Sequence, residues 1–243
     1  MKRCDYLAIV ALGLATVTAS VSAEDAPKHA AVTPAPREGG WMQRHESFNR
    51  RVKQGNVDLI FIGDSITQGW EGAGRKVWEE FYSKRNAVNL GIGGDRTQHV
   101  LWRLENGNID NIAPKLAVVM IGTNNSGDNT SQEIADGVEA IVKKLRAKLP
   151  STKVLVLGIF PRGADNNDKR RQVNIGANKR LAELADGEMV HYLDIGPAFL
   201  SDAGTLSREI MPDLLHLSEK GYRLWAESIE SKVAELMGEK ASG

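Results

Sequence analysis

Cysteine is almost absent from this 243-residue chain. Its one cysteine, Cys4, stands ahead of the first apolar stretch, so neither a disulfide framework nor a cysteine-built zinc site can hold the fold. An excess of one charge is lacking too. Lys and Arg number 31, Asp and Glu 31. No long block of like charge occurs, which removes the electrostatic footing that nucleic acid or an anionic membrane would need. The apolar stretch at 7–17 falls short of the roughly 20 residues a spanning helix requires. No internal repeat at solenoid spacing is present. A chain of this length can bury about 70% of its unfolded surface, enough for one core without staples.

The first forty residues divide by composition. Lys2 and Arg3 precede the apolar 7–17 stretch, and Val21-Ser22-Ala23 offers a small-residue cleavage site. That is the pattern of a secretory signal at 1–23, cut after Ala23. It predicts a secreted or periplasmic mature chain with no integral membrane span. Residues 24–40 are rich in Ala and Pro and end in Gly39-Gly40, which predicts a flexible or extended linker. The folded domain is expected over 41–243.

Within that domain, five near-continuous apolar runs suit parallel strands buried on both faces: 57–62, 87–92, 115–121, 153–159 and 189–195. Helical patterns lie at 41–54, 75–83, 97–106, 131–149, 169–185 and 218–237. In the fourth of these, Ser131 supplies a cap, and Ile134, Val138, Ile141, Val142 and Leu145 line one face. Alternating strands and helices predict an α/β fold, a three-layer α/β/α sandwich around a parallel sheet. In such sheets, ligands bind beyond the carboxyl ends of the strands.

Chemistry-bearing residues fall at those ends. Gly63-Asp64-Ser65 follows the first run and puts a serine where a helix begins, a place for a nucleophile. Gly91-Ile92-Gly93-Gly94-Asp95 follows the second; Arg96 stands where a dinucleotide fingerprint needs glycine. Gly122-Thr123-Asn124 follows the third, and Asp213-Leu214-Leu215-His216 precedes the last helix. The set fits acyl transfer: Ser65 as nucleophile, His216 as base, and Asp213 to fix the imidazole tautomer. The backbone N–H groups of Ser65 and Gly94 and the Asn124 amide would stabilise the oxyanion. His29, His45, His99 and His191 read as structural or linker residues. Trp70, beside the serine turn, is a candidate sugar platform or a packing residue. Residues 165–168 form a solvated acidic loop lacking the glycine and terminal Glu of a calcium hand.

At this point the chain resembles the SGNH hydrolases, the GDSL-type esterase and lipase superfamily. Gly63-Asp64-Ser65, Gly94, Asn124 and the Asp213-x-x-His216 pair are similar to its motif blocks. Within it, residues 89–95 and 99–107, Gly122-Thr123-Asn124-Asn125, Phe160-Pro161-Arg162-Gly163 and Leu215-His216-Leu217-Ser218 resemble the catalytic subunits of intracellular platelet-activating-factor acetylhydrolase. The resemblance implies five parallel strands in flavodoxin-like order and no metal or cofactor. It also implies a short acyl group, such as acetyl, on a small-molecule, glycan or lipid ester. A secreted carbohydrate O-acetylesterase and an inactive binding module are the alternatives. The loop Glu71-Gly72-Ala73-Gly74 is expected to reshape the acyl pocket, and the early helix is compatible with a homodimer.

Overall fold

The computed structural model describes Met1 and residues 29–239; apart from Met1, the expected leader at 1–23 lies outside the described residues. Five strands form one parallel sheet: β1 (Leu59–Gly63), β2 (Ala87–Gly91), β3 (Leu116–Met120), β4 (Lys153–Leu157) and β5 (Val190–Leu193). Their spatial order is β2-β1-β3-β4-β5, the flavodoxin-like arrangement. The register places Ile60 between Val88 and Ala117, and Gly63 between Gly91 and Met120. The chain reverses direction across the sheet at β1, so the ends of β1 and β3 flank the switch point where an open α/β sheet leaves a crevice.

Side chains alternate between two cores because successive residues of a strand point to opposite faces. Ile60, Ile62, Ala117 and Val119 pack under the helices α1 (Gly40–Lys53), α4 (Thr97–Glu105), α5 (Ser131–Lys148) and α6 (Lys169–Leu181). Leu59, Phe61, Val118 and Met120 pack under α2 (Ser65–Gln68), α3 (Arg75–Phe81) and α7 (Glu219–Met237). The result is the three-layer sandwich. Helix ends follow local chemistry. The α5 cap is Thr130, one residue before the expected Ser131, in a reciprocal box with Glu133; the Ser131 hydroxyl instead donates to the Val173 carbonyl. Ser218 caps α7, and Gly238 closes it in the left-handed conformation.

Of the expected linker, the described residues 29–38 carry one short 3-10 turn at Ala30–Val32 and are anchored rather than free. Ala31 is buried, and its carbonyl accepts the Thr97 hydroxyl. Ala35 N–H donates to the Gln98 carbonyl. Arg37 reaches the Gly93 carbonyl and the Asp95 carboxylate. The short side chains of an Ala/Pro-rich stretch let it lie flat across α4.

Trp70 is a packing residue, not a sugar platform. It is 1% exposed and lies against Phe61, Trp78, Tyr82, Tyr222 and Trp225. Among the described residues no helix is long and apolar enough to cross a membrane. Trp225, fully buried on α7 against Phe61, Trp70 and Phe160, is the cross-layer anchor of this core. Trp225→Ala is expected to lower unfolding free energy by about 3–5 kcal/mol in urea titrations; a loss under about 1 kcal/mol would show that α7 does not depend on it.

Candidate active site

β1 ends in Gly63, whose added Cβ would lie 2.4 Å from the Met120 carbonyl, so only glycine lets β1 and β3 stay this close at the turn. Asp64 then caps α2 by accepting the Ile66 N–H at 2.9 Å, and Ser65 takes the first helical position. Tyr222 of α7 donates its hydroxyl to the Ile66 carbonyl at 2.6 Å, tying the serine turn to the last helix.

Ser65 Oγ lies 2.9 Å from His216 Nε2. His216 Nδ1–H donates to Asp213 Oδ2 at 2.7 Å. Asp213 Oδ1 accepts two backbone N–H groups of its own turn, from Leu215 at 3.0 Å and from His216 at 2.7 Å. Partial burial opposes charge on Asp213, but the imidazole and these backbone donors outweigh it and hold the carboxyl below its usual range. The turn places Leu214 at φ +62°, a left-handed conformation that a branched residue adopts at a cost of about 1–2 kcal/mol. It is held there from outside. Gly163 N–H donates to the Leu214 carbonyl, and the buried Arg171 guanidinium in turn clamps the Arg162 and Gly163 carbonyls.

The glycine loop after β2 is pinned from both sides at Gly93. Gln68 of α2 accepts its N–H at 2.7 Å, and Arg37 donates to its carbonyl at 2.8 Å. Gly94 follows at φ +75°, and its N–H, like that of Ser65, makes no hydrogen bond among the described residues. Asn124 spends one amide hydrogen on the Asp95 carbonyl at 2.9 Å and makes only a long contact, 3.4 Å, to Asp64. Hydrogen bonds thus join Ser65, His216 and Asp213, while Gly94 and Asn124, on the loops after β2 and β3, line one pocket with Leu215 of the Asp213–His216 turn.

Beneath the rim lies a polar framework that sequence reasoning missed. Asp95, fully buried, accepts from Arg103 Nε at 2.9 Å and from Trp41 Nε1 at 2.6 Å, besides Arg37. Arg103, also fully buried, continues to Asn108 and to the Gly63 carbonyl. The available signal was a charged residue on the apolar stripe of α4, between Val100, Leu101 and Leu104. Of the other histidines, His45 stacks on Trp41, and His99 accepts the Arg96 N–H through Nδ1. Burial first, then Arg37, Arg96 and Arg103, push the His99 pKa down to about 4, so it stays a neutral cap. The loop at 71–74 does not line the site. Its Glu71 borders a separate groove with Arg75 and Trp78. Among the described residues no cluster of three His, Cys, Asp or Glu side chains could hold a metal.

Residues 61–224, well over half of the chain, match the GDSL-like Lipase/Acylhydrolase family. The chain belongs to that family. It is an ester hydrolase. Among curated relatives, the platelet-activating factor acetylhydrolase IB subunit alpha1 of Homo sapiens is 39% identical over 224 residues, covering 90% of this chain and 94% of that one. The alpha2 subunit of Rattus norvegicus is 40% identical over 202 residues, covering 82% and 86%. Among solved structures, an acylhydrolase described as putative from Bacteroides fragilis aligns at TM-score 0.67 and 21% identity, over 83% of this chain and 99% of that one. A carbohydrate acetylesterase family member from Sinorhizobium meliloti aligns at 0.59 and 17%, over 75% and 99%. At such identities the structural matches speak for the fold alone.

One expectation is corrected here. The secreted or periplasmic placement drawn from residues 1–23 is overturned by these relatives, which are intracellular acetylhydrolase subunits and match about nine-tenths of the chain.

Asp64 generates a test. Burial, chiefly, and the nearby Asp95 push its pKa up from 3.8 to about 7. The folded state thus holds this proton more tightly than the unfolded chain. Its stabilising contribution is complete below about pH 4 and drains away as pH rises through 7. Asp64→Asn keeps the cap and removes the titration. Relative to the variant, the parent is expected to lose up to about 4 kcal/mol between pH 4 and pH 8 in denaturant titrations. Parallel pH dependences for the two proteins would contradict the assignment.

Proposed function

We propose that this protein is a serine esterase for short acyl groups, working through an acyl-enzyme. The observation that carries the reading is the unbroken succession from Ser65 Oγ through the imidazole of His216 to the Asp213 carboxylate. In this mechanism His216 Nε2 takes the serine proton as Oγ bonds to the ester carbonyl. Asp213 fixes the tautomer with Nδ1 protonated and stabilises the imidazolium. The negative charge that develops on the carbonyl oxygen is met by the N–H groups of Ser65 and Gly94 and by the second amide hydrogen of Asn124. Collapse expels the alcohol with the proton from His216. Water then enters by the reverse sequence and releases the acid.

Support for a short acyl group comes from the relatives named as acetylhydrolases. The carbohydrate ester reading loses its aromatic platform with Trp70 in the core.

Ser65→Ala is expected to abolish p-nitrophenol release from p-nitrophenyl acetate, a loss of about 1000-fold or more in kcat. Turnover retained in a pure sample would remove Ser65 from its role. His216→Ala is expected to lower kcat on the same ester by about 1000-fold or more; near-parent turnover in that variant would rule out His216.

A further inference from the structure

Acyl transfer leaves one feature of the rim unused. A pocket of about 320 Å³ opens beside the site, lined by Gly94, Asn124, Leu215 and Gly127, by the carboxylate of Asp128, and by Arg96, Arg162 and Arg170. It therefore shares two walls with the oxyanion donors and one with the Asp213–His216 turn. Three guanidinium groups at one opening need an explanation in charge.

Arg96 is answered by Asp128, 2.5 Å away. Arg162 and Arg170 form no ion pair among the described residues. Arg162 donates through one terminal nitrogen to the Thr123 carbonyl and hydroxyl, both at 3.2 Å, while its Nε–H is buried without a partner. Burial and then the neighbouring Arg170 charge hold the Arg162 guanidinium below its ordinary pKa. The carboxylates that act on it from a distance are Asp168, Asp64 and Asp213. Each is committed elsewhere: Asp168 caps α6 through the Arg171 N–H, Asp64 caps α2, and Asp213 holds His216. Two cations thus line one polar pocket, and one of them keeps a buried N–H without a partner. Like charges in that position repel, and a planar fork of N–H donors is the geometry that suits a carboxylate or phosphate.

We infer that this pocket binds an anionic group carried by the ester, a carboxylate or a phosphate, and so selects negatively charged substrates over neutral ones. The inference rests on the esterase reading of the adjacent site. Gly94 and Asn124 serve both purposes: one face of each meets the ester oxygen, and the other borders the anion. The anion is positioned by Arg162 and Arg170, and Asn124 is kept in place by the Asp95 carbonyl beneath it.

The test uses four acetyl esters on one ring: phenyl acetate, 4-acetoxybenzoate, 4-acetoxyphenyl phosphate and 4-acetoxyphenyltrimethylammonium. Each kcat/KM is divided by the hydroxide-catalysed rate, which removes leaving-group differences. The anionic esters are expected to exceed phenyl acetate by about tenfold or more at low salt, the cationic ester to fall below it, and the preference to shrink with added NaCl. The larger of the two anionic rates identifies carboxylate or phosphate as the recognised group. Arg170 is exposed, so Arg170→Gln tests the pocket without threatening the fold. It is expected to pull the anionic-to-neutral ratio toward one, with Arg170→Lys recovering part of it; Arg162→Gln is expected to do the same more strongly. Phenyl acetate turned over with no preference among the four esters, or a ratio indifferent to Arg170→Gln, would overturn the anion pocket and leave the esterase standing. No turnover of any ester would remove both.

Discussion

The buried pair of Asp95 and Arg103 is the constraint on which the site depends. Neither side chain is reached by solvent, and each is fully engaged: Asp95 by Arg103, Trp41 and Arg37, and Arg103 by Asp95, Asn108 and the Gly63 carbonyl. A buried ion pair gains little net stability against its desolvation cost, but breaking one leaves an uncompensated charge worth about 3–5 kcal/mol. What it supplies here is position. Through it the end of β1, the start of α1, the interior of α4 and the N-terminal segment meet at one point. The Asp95 carbonyl then orients the Asn124 amide. Desolvation still pushes the Asp95 carboxyl pKa upward despite its donors, a sign of how deeply the pair is set.

The rest of the site follows from that point outward. Each reacting group sits on a short loop, but each loop is fastened to regular structure by a hydrogen bond its own sequence does not contain. Gln68 and Arg37 hold the glycine loop, Tyr222 holds the serine turn, and Arg171 with Gly163 holds the strained turn at Leu214. Strain at Leu214 persists because Asp213 satisfies two backbone N–H groups and the imidazole at once. The same arrangement aims His216 Nε2 at Ser65. The N-terminal segment takes part through Arg37, so residues that look like a tether help to shape the donor group.

Much of this was legible in the sequence, for identifiable reasons. A strand buried on both faces has no polar alternation, and runs such as Leu59-Ile60-Phe61-Ile62 announced the sheet. Motifs at strand ends placed Ser65, Gly94, Asn124, Asp213 and His216 on a common rim, because parallel topology sends successive carboxyl ends to the same side. What was not legible depends on partners distant in the chain. Arg103 reads as one more charge on an amphipathic helix until Asp95 is seen across from it. Trp70 reads as packing residue or platform until Trp225 and Tyr222 are seen to close over it. Arg37 lies in a stretch whose composition says only that it cannot build a core alone. Strand limits also shortened, as at β3, where pairing spans Leu116–Met120 rather than 115–121, because apolar character extends past the last ladder bond. The placement drawn from the first residues rested on composition alone, and the relatives overturn it.

The central claim is that the Ser65 hydroxyl is activated by its contact with His216 and is the atom that receives the acyl group. Peptide mass mapping after treatment with a fluorophosphonate tests it most directly. The account expects one equivalent of adduct per chain, located on the peptide bearing Ser65, with labelling suppressed in His216→Ala. No adduct on the folded enzyme, or an adduct on a different residue, would contradict it.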